Sequence, residues 1–112
     1  MISAMNKKQL DILEWNESTF LGSTADGKAR HCMKECNELK EALENSIIYK
    51  LDGWEQEALA EFADIFILMS AWAGMQGYSL EEAIDEKMAI NRGRKWGQMD
   101  SQGVVEHLEE AK

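Results

Sequence analysis

One charged side chain, Asp64, stands inside the thirteen-residue run Phe62 to Gly74 (FADIFILMSAWAG), which is otherwise apolar or small. A run of that length and composition predicts a helix buried on nearly every side, because it leaves no polar stripe for solvent. An ionised carboxylate in such surroundings is costly unless it is neutralised, paired or bound to a cation. Glu61 lies three residues earlier, so Glu-x-x-Asp forms one helical ridge, and upstream Glu35-Cys-Asn-Glu38 repeats the spacing. Two such pairs on two helices predict a cation site.

The rest of the chain reads as all-α. Proline is absent, and no strand-like alternation persists. The 112 residues form one domain, with its organised part over about 15–97 and a polar tail over 98–112. Helices are predicted over about 6–15, 28–49, 54–75 and 80–92, and the polar residues 101–111 form a short fifth helix or fray. Ser79 followed by Glu82 has the form of a capping box opening the fourth helix. On the second helix Ala29, Cys32, Cys36, Leu39, Leu43 and Ile47 make a core-facing stripe. Between the first two helices the stretch 16–27 (NESTFLGSTADG) has loop chemistry. A connection of that length is a candidate lid or base-recognition element. Four short helices cannot wrap the apolar third one completely, which predicts a homo-oligomer.

A formal charge of -9 argues against a broad grip on nucleic acid, so a polyanionic ligand must arrive with metal. The N-terminus MISAMNKKQLDILEW is amphipathic and lacks the form of a secretory signal. No uninterrupted apolar run reaches the ~20 residues of a membrane span. These features predict a cytoplasmic protein that does not enter membranes. Cys32 and Cys36 read as packing residues rather than a disulfide, and His31, Cys32 and Cys36 do not converge easily on one zinc ion.

Glu35, Glu38, Glu61 and Asp64 offer oxygen ligands alone, which suit hard cations such as Mg²⁺, with Mn²⁺ as a substitute. Solvated helix faces are the alternative for the glutamates taken singly. Lys87, Asn91 and Arg94, spaced i, i+4, i+7, would suit a phosphate pocket; favourable charge at a helix C-terminus explains the same pattern. His31 lies one turn before Glu35, and Trp15 and Phe20 flank the long loop. These three are candidates for sugar and base contacts, or structural residues.

Together these residues resemble the MazG-like, all-α nucleoside triphosphate pyrophosphohydrolases, a four-helix-bundle-like fold, and within them the short phage-type dATP/dGTP pyrophosphohydrolase branch. The family core Glu-x-x-Glu, then Glu-x-x-Asp, stands here as Glu35–Glu38 and Glu61–Asp64. The short branch is similar over Trp15, Thr19-Phe20-Leu21-Gly22, Gly27-x-x-x-His31-x-x-x-Glu35 and Lys87-x-x-x-Asn91-x-x-Arg94-x-Trp96. Leu21 displaces the usual glycine after Thr-Phe, and the segment around 47–53 finds no counterpart. The resemblance implies hydrolysis of a (deoxy)purine triphosphate, dGTP or dATP, to monophosphate and pyrophosphate by a Mg²⁺-dependent homodimer or homotetramer. It implies the four acids as metal ligands, Glu35 and Glu38 as catalytic groups with Glu38 accepting a proton from water, and Lys87, Asn91 and Arg94 as phosphate holders. A dGTP-directed member would supply dGMP for a modified purine in phage DNA. The competing class is a non-enzymatic acidic helical dimer that binds a partner or a nucleotide.

Overall fold

The structure, a computed structural model, describes residues 4–109. Its helices are α1 (Lys7–Thr19), α2 (Ala25–Leu43), α3 (Trp54–Met75) and α4 (Leu80–Gly93), with a π-helical turn, Glu44–Ile48, continuing α2. The chain divides into two compact units, Met1–Glu81 and Glu82–Lys112. No strand is present among the described residues; an isolated antiparallel bridge joins Trp96 to His107 in the second unit. The all-α expectation holds.

In the first unit α1 and α2 both pack on α3. Gly74 lies against α1, where a Cβ would come within 3.1 Å of two Leu13 methyl carbons. The end of α3 is set by Gly77. Its φ of +81° lets the Tyr78 N–H reach the Ala73 carbonyl at 2.9 Å and the Gly77 N–H reach Gly74 at 3.0 Å, a Schellman closure that occupies carbonyls the helix leaves unpaired. Beside that turn, Gln9 of α1 is buried and fully used. Its Nε2 donates to the carbonyls of Ser70 and Tyr78, and its Oε1 accepts from the Leu80 N–H. Two of these backbone groups, the Tyr78 carbonyl and the Leu80 N–H, lie outside the hydrogen-bond ladder of α3 and rely on this one side chain. Gln9→Leu is expected to lower unfolding free energy by about 2–4 kcal/mol, as each stranded buried group costs ~1–3 kcal/mol less what water recovers; urea denaturation checks it.

Several sequence expectations need correction. The loop expected over 16–27 shrinks to residues 20–24, because α1 runs on to Thr19 and α2 starts at Ala25. The Thr24 hydroxyl caps α2 by accepting from the Gly27 N–H. The second helix does not run unbroken to 49: it gives way to the π-helical turn at Glu44. On α2 the fully buried residues are Lys28 and Ala42, whereas Cys36 and Ile47 of the expected stripe are exposed. Residues 101–109 form a turn and the bridge to Trp96 rather than a helix, since Asp100 accepts from the Gln102 and Val104 N–H groups; residues 110 and 111 of that stretch lie outside the described residues.

The largest correction concerns α3. It matches its expected span, but it is not buried all round within one chain. Ala58, Ile65, Leu68, Ser70, Ala71, Ala73 and Gly74 are buried, while Leu59, Phe62, Phe66 and Met69 remain exposed. At about 100° per residue those four fall on one side. Asp64 is itself exposed. By length and mean hydropathy (1.4) α3 also meets the composition of a membrane span, although Glu61 and Asp64 interrupt its apolar sequence. Here its inner side is taken up by α1 and α2.

Candidate active site

The first acidic pair meets one member of the second. Along α2, His31, Glu35 and Glu38 follow at i, i+4, i+7 and so share a side, and Glu61 comes from α3. One carboxylate oxygen from each of Glu35, Glu38 and Glu61 lies within 4.8 Å of the others. His31 Nε2 stands 3.2 Å from Glu35 Oε1. Asp64 falls outside that set of three, one turn beyond Glu61. It lines a cleft of about 520 Å³ together with Glu35, His31, Trp15 and Phe20, and its charge acts on both Glu38 and Glu61.

Three carboxylates this close cannot all carry charge cheaply. Hydrogen bonding to Glu35, followed by burial and the neighbouring negative charges, pushes the Glu61 carboxyl up from 4.5 to about 7. Glu38 is raised as well, chiefly by its hydrogen bond and charge contact with Glu35. Glu35 is lowered, mainly because Glu61 and Glu38 hydrogen-bond to it, with burial opposing. The cluster therefore keeps a proton on the Glu61 side and charge on Glu35. Yet Glu35 Oε2 and Glu61 Oε2 are both buried without a hydrogen-bond partner. Clustered carboxylates with unpaired buried oxygens are the donor set a hard divalent cation takes, so the residues fit such an ion.

A pH dependence follows. Because Glu61 titrates near 7 in the folded chain against 4.5 ordinarily, the folded state holds a proton that the unfolded chain releases between those values. Its contribution to stability is complete below about 4.5 and is lost as pH rises through about 7. Glu38 acts in the same direction; lowered Glu35 acts oppositely, losing its contribution as pH falls. In chelator the melting temperature is expected to decline as pH is raised from about 5 to 7.5. Added Mn²⁺ is expected to remove that decline, because ligation requires the deprotonated form.

The other sequence candidates are placed as follows. Trp15 and Phe20 pack edge to face, 5.2 Å between centroids, on the cleft wall. Lys87, Asn91 and Arg94 lie in the second unit. There Arg94 Nη1 donates to Asn91 Oδ1 at 3.2 Å, and Trp96 Nε1 donates to the Asn91 carbonyl at 3.0 Å. Asn91 thereby organises the end of α4, and Lys87 is exposed on the same helix. Two cleft residues were not singled out from sequence: Asn16, fully buried, and Lys28, 9% exposed. Lys28 was findable, since it precedes His31 by one turn on the side that carries Glu35.

A family profile described as dATP/dGTP pyrophosphohydrolase matches residues 9–112. A dATP/dGTP diphosphohydrolase of Cyanophage S-2L is 42% identical over 48 residues, a stretch covering 43% of this chain and 45% of that relative. The match thus spans under half of the curated relative's length. Among solved structures, the Cyanophage S-2L MazG-like pyrophosphohydrolase bound to dGDP and three catalytic Mn²⁺ ions per active site superposes with a TM-score of 0.63. The superposition covers 96% of this chain and 99% of that one at 24% identity, a likeness of fold. With the profile running through both acidic pairs and on to the last residue, the chain belongs to the dATP/dGTP pyrophosphohydrolase family.

Proposed function

We propose that this protein hydrolyses a purine deoxynucleoside triphosphate, dGTP or dATP, between the α and β phosphorus atoms, giving the monophosphate and pyrophosphate. The observation that carries this reading is the convergence of Glu35, Glu38 and Glu61 within 4.8 Å, with buried oxygens of Glu35 and Glu61 left unpaired, beside a cleft with an aromatic wall. Those three acids, with Asp64 one turn away, would hold Mg²⁺, for which Mn²⁺ substitutes. When bound, such ions polarise the phosphates and offset their charge.

The chain's own residues supply the rest. Glu38 is the exposed member of the cluster, and its raised basicity suits it to take the proton of the water that attacks the α-phosphorus. His31 holds Glu35 in place through its Nε2 contact. Trp15 and Phe20 give the base a surface to stack on. Lys87, Asn91 and Arg94 are assigned to the phosphate chain on the strength of their spacing and the family resemblance. The exposed apolar side of α3 supports assembly into a homodimer or homotetramer, with α3 a core helix of that assembly rather than a membrane span. The net charge of -9 supports the absence of a nucleic-acid partner, and the amphipathic N-terminal sequence supports a cytoplasmic location. A dGTP-directed enzyme would supply dGMP for a modified purine.

Incubation with each of the eight common NTPs and dNTPs and Mg²⁺, with separation of products, tests the reading. Pyrophosphate release is expected from purine deoxynucleotides first. Much faster turnover of dUTP or dCTP contradicts the purine assignment, and nucleotide binding without turnover returns the protein to the class of non-enzymatic helical modules.

A further inference from the structure

Glu35 and Asp64 are the acids that line the cleft, and two polar groups farther along it lack a polar partner. Lys28 is 9% exposed, and its ammonium lies 4.3 Å from the Phe20 ring centroid. Among the described residues no carboxylate is within ion-pair reach of it. Asn16 is wholly buried. Its Nδ2 is taken up by Ser23 Oγ and Met75 Sδ, while its Oδ1 has no partner. Both residues line the cleft with Trp15 and Phe20. The Lys28 ammonium, held over the Phe20 ring, has hydrogens to offer an acceptor, and the buried Asn16 Oδ1 lacks a donor, which is unfavourable, so this end of the cleft is complementary to a ligand that presents both acceptors and a donor.

Position separates this end from the phosphates. Lys28 precedes Glu35 by seven residues, about 10 Å along α2, and its immediate neighbour is an aromatic ring rather than an acid. A nucleotide whose phosphates face the acids carries its base toward Trp15, Phe20 and Lys28. A lysine ammonium donates and never accepts, so it favours a base with acceptors side by side. Guanine offers O6 and N7 together, whereas adenine sets the hydrogens of its N6 amine next to N7. The Oδ1 of Asn16 is covered in the chain as it stands. The wall beside it is the linker 20–24, the part outside the helices, where Gly22 has φ +81°, and this is the segment that must yield as a base enters.

Resting on the reading that the cleft takes a nucleotide, we propose that Lys28 reads the base: its Nζ donates to O6 and N7 of a 6-oxopurine stacked against Trp15 and Phe20, and Asn16 Oδ1 accepts from the base's N1–H. Calorimetric titration with dGMP, dIMP and dAMP tests this without requiring turnover, since none of them carries a phosphoanhydride bond. The native protein is expected to bind dGMP and dIMP within about 3-fold of each other and dAMP at least about 10-fold more weakly. Lys28→Met, which keeps the apolar stem over Phe20, is expected to weaken dGMP and dIMP about 10-fold or more and to leave dAMP within about 3-fold. Asn16→Ala is expected to weaken dGMP and dIMP together by about 10-fold.

Equal binding of dGMP and dAMP by the native protein overturns the proposal, as does a Lys28→Met variant that weakens all three alike, the behaviour of a phosphate contact. If circular dichroism shows that a variant has not folded, the native series decides alone. Selective binding of 6-oxopurines without pyrophosphate release from dGTP overturns the proposed activity and leaves the base reading intact. Purine triphosphate turnover with no distinction among the monophosphates does the reverse.

Discussion

Glu61→Gln is expected to reduce pyrophosphate release from dGTP by more than about 100-fold, since even residues one layer out from a bound metal commonly account for 10–100-fold. The substitution is chosen because it separates catalysis from folding. Glu61 already holds a proton up to about pH 7 in the folded chain, so a neutral amide of the same shape copies the state the fold accepts. Removing one of three crowded acids also relieves repulsion within the cluster. The variant should therefore melt in chelator at or above the native temperature at pH 7.5, yet gain little from added Mn²⁺. Asp64→Asn is expected to abolish turnover with a near-normal helical spectrum. A Glu61→Gln protein retaining more than a tenth of native turnover contradicts the role given to the cluster.

Phe66→Glu is expected to convert the proposed homo-oligomer to a 12.7 kDa monomer, read by light scattering behind size exclusion. Leu59, Phe62, Phe66 and Met69 lie along one side of α3, between 38% and 63% exposed in the single chain. Covering a large apolar side chain is worth about 1.5–3 kcal/mol, and a twofold interface counts each substituted position twice. A glutamate at position 66 would add two unpaired charges to that surface. Association should weaken by at least about 100-fold, which is ~2.7 kcal/mol. A native protein that already runs as a monomer contradicts the assembly, and the exposed face of α3 would then need another explanation.

Some of this organisation was legible in the chain and some was not, for physical reasons. The ends of α3 and the start of α4 could be read because Gly53, Gly77 and Ser79 interrupt helical patterns at the places where the backbone turns. The far end of α2 could not, because the apolar stripe continues in sequence through Ile47 after the backbone has passed into a π-helical turn. Asn16 to Thr19 carry loop chemistry yet stay helical, because the buried Asn16 amide finds Ser23 and Met75 across the fold, a compensation no local pattern reveals.

The acids were legible through their i, i+3 spacing, which fixes a shared helix face. That Glu61 would join Glu35 and Glu38 more closely than Asp64 does depends on how α2 and α3 pack. Lys28 shares the helix side of His31 and Glu35 and was legible by the same spacing, whereas Asn16 was not: a buried polar side chain is recognised by the partner it lacks, which is a property of the folded unit.

The central claim is that Glu35, Glu38 and Glu61 form a divalent-cation site, and Mn²⁺ titration followed by electron paramagnetic resonance reads it directly. At pH 7.5 the native protein is expected to suppress the signal of free Mn²⁺ by at least one ion per chain, while Glu61→Gln leaves most of that signal in place. A native protein that leaves the free-ion signal unchanged, or a variant that takes up Mn²⁺ as well as the native chain does, contradicts it.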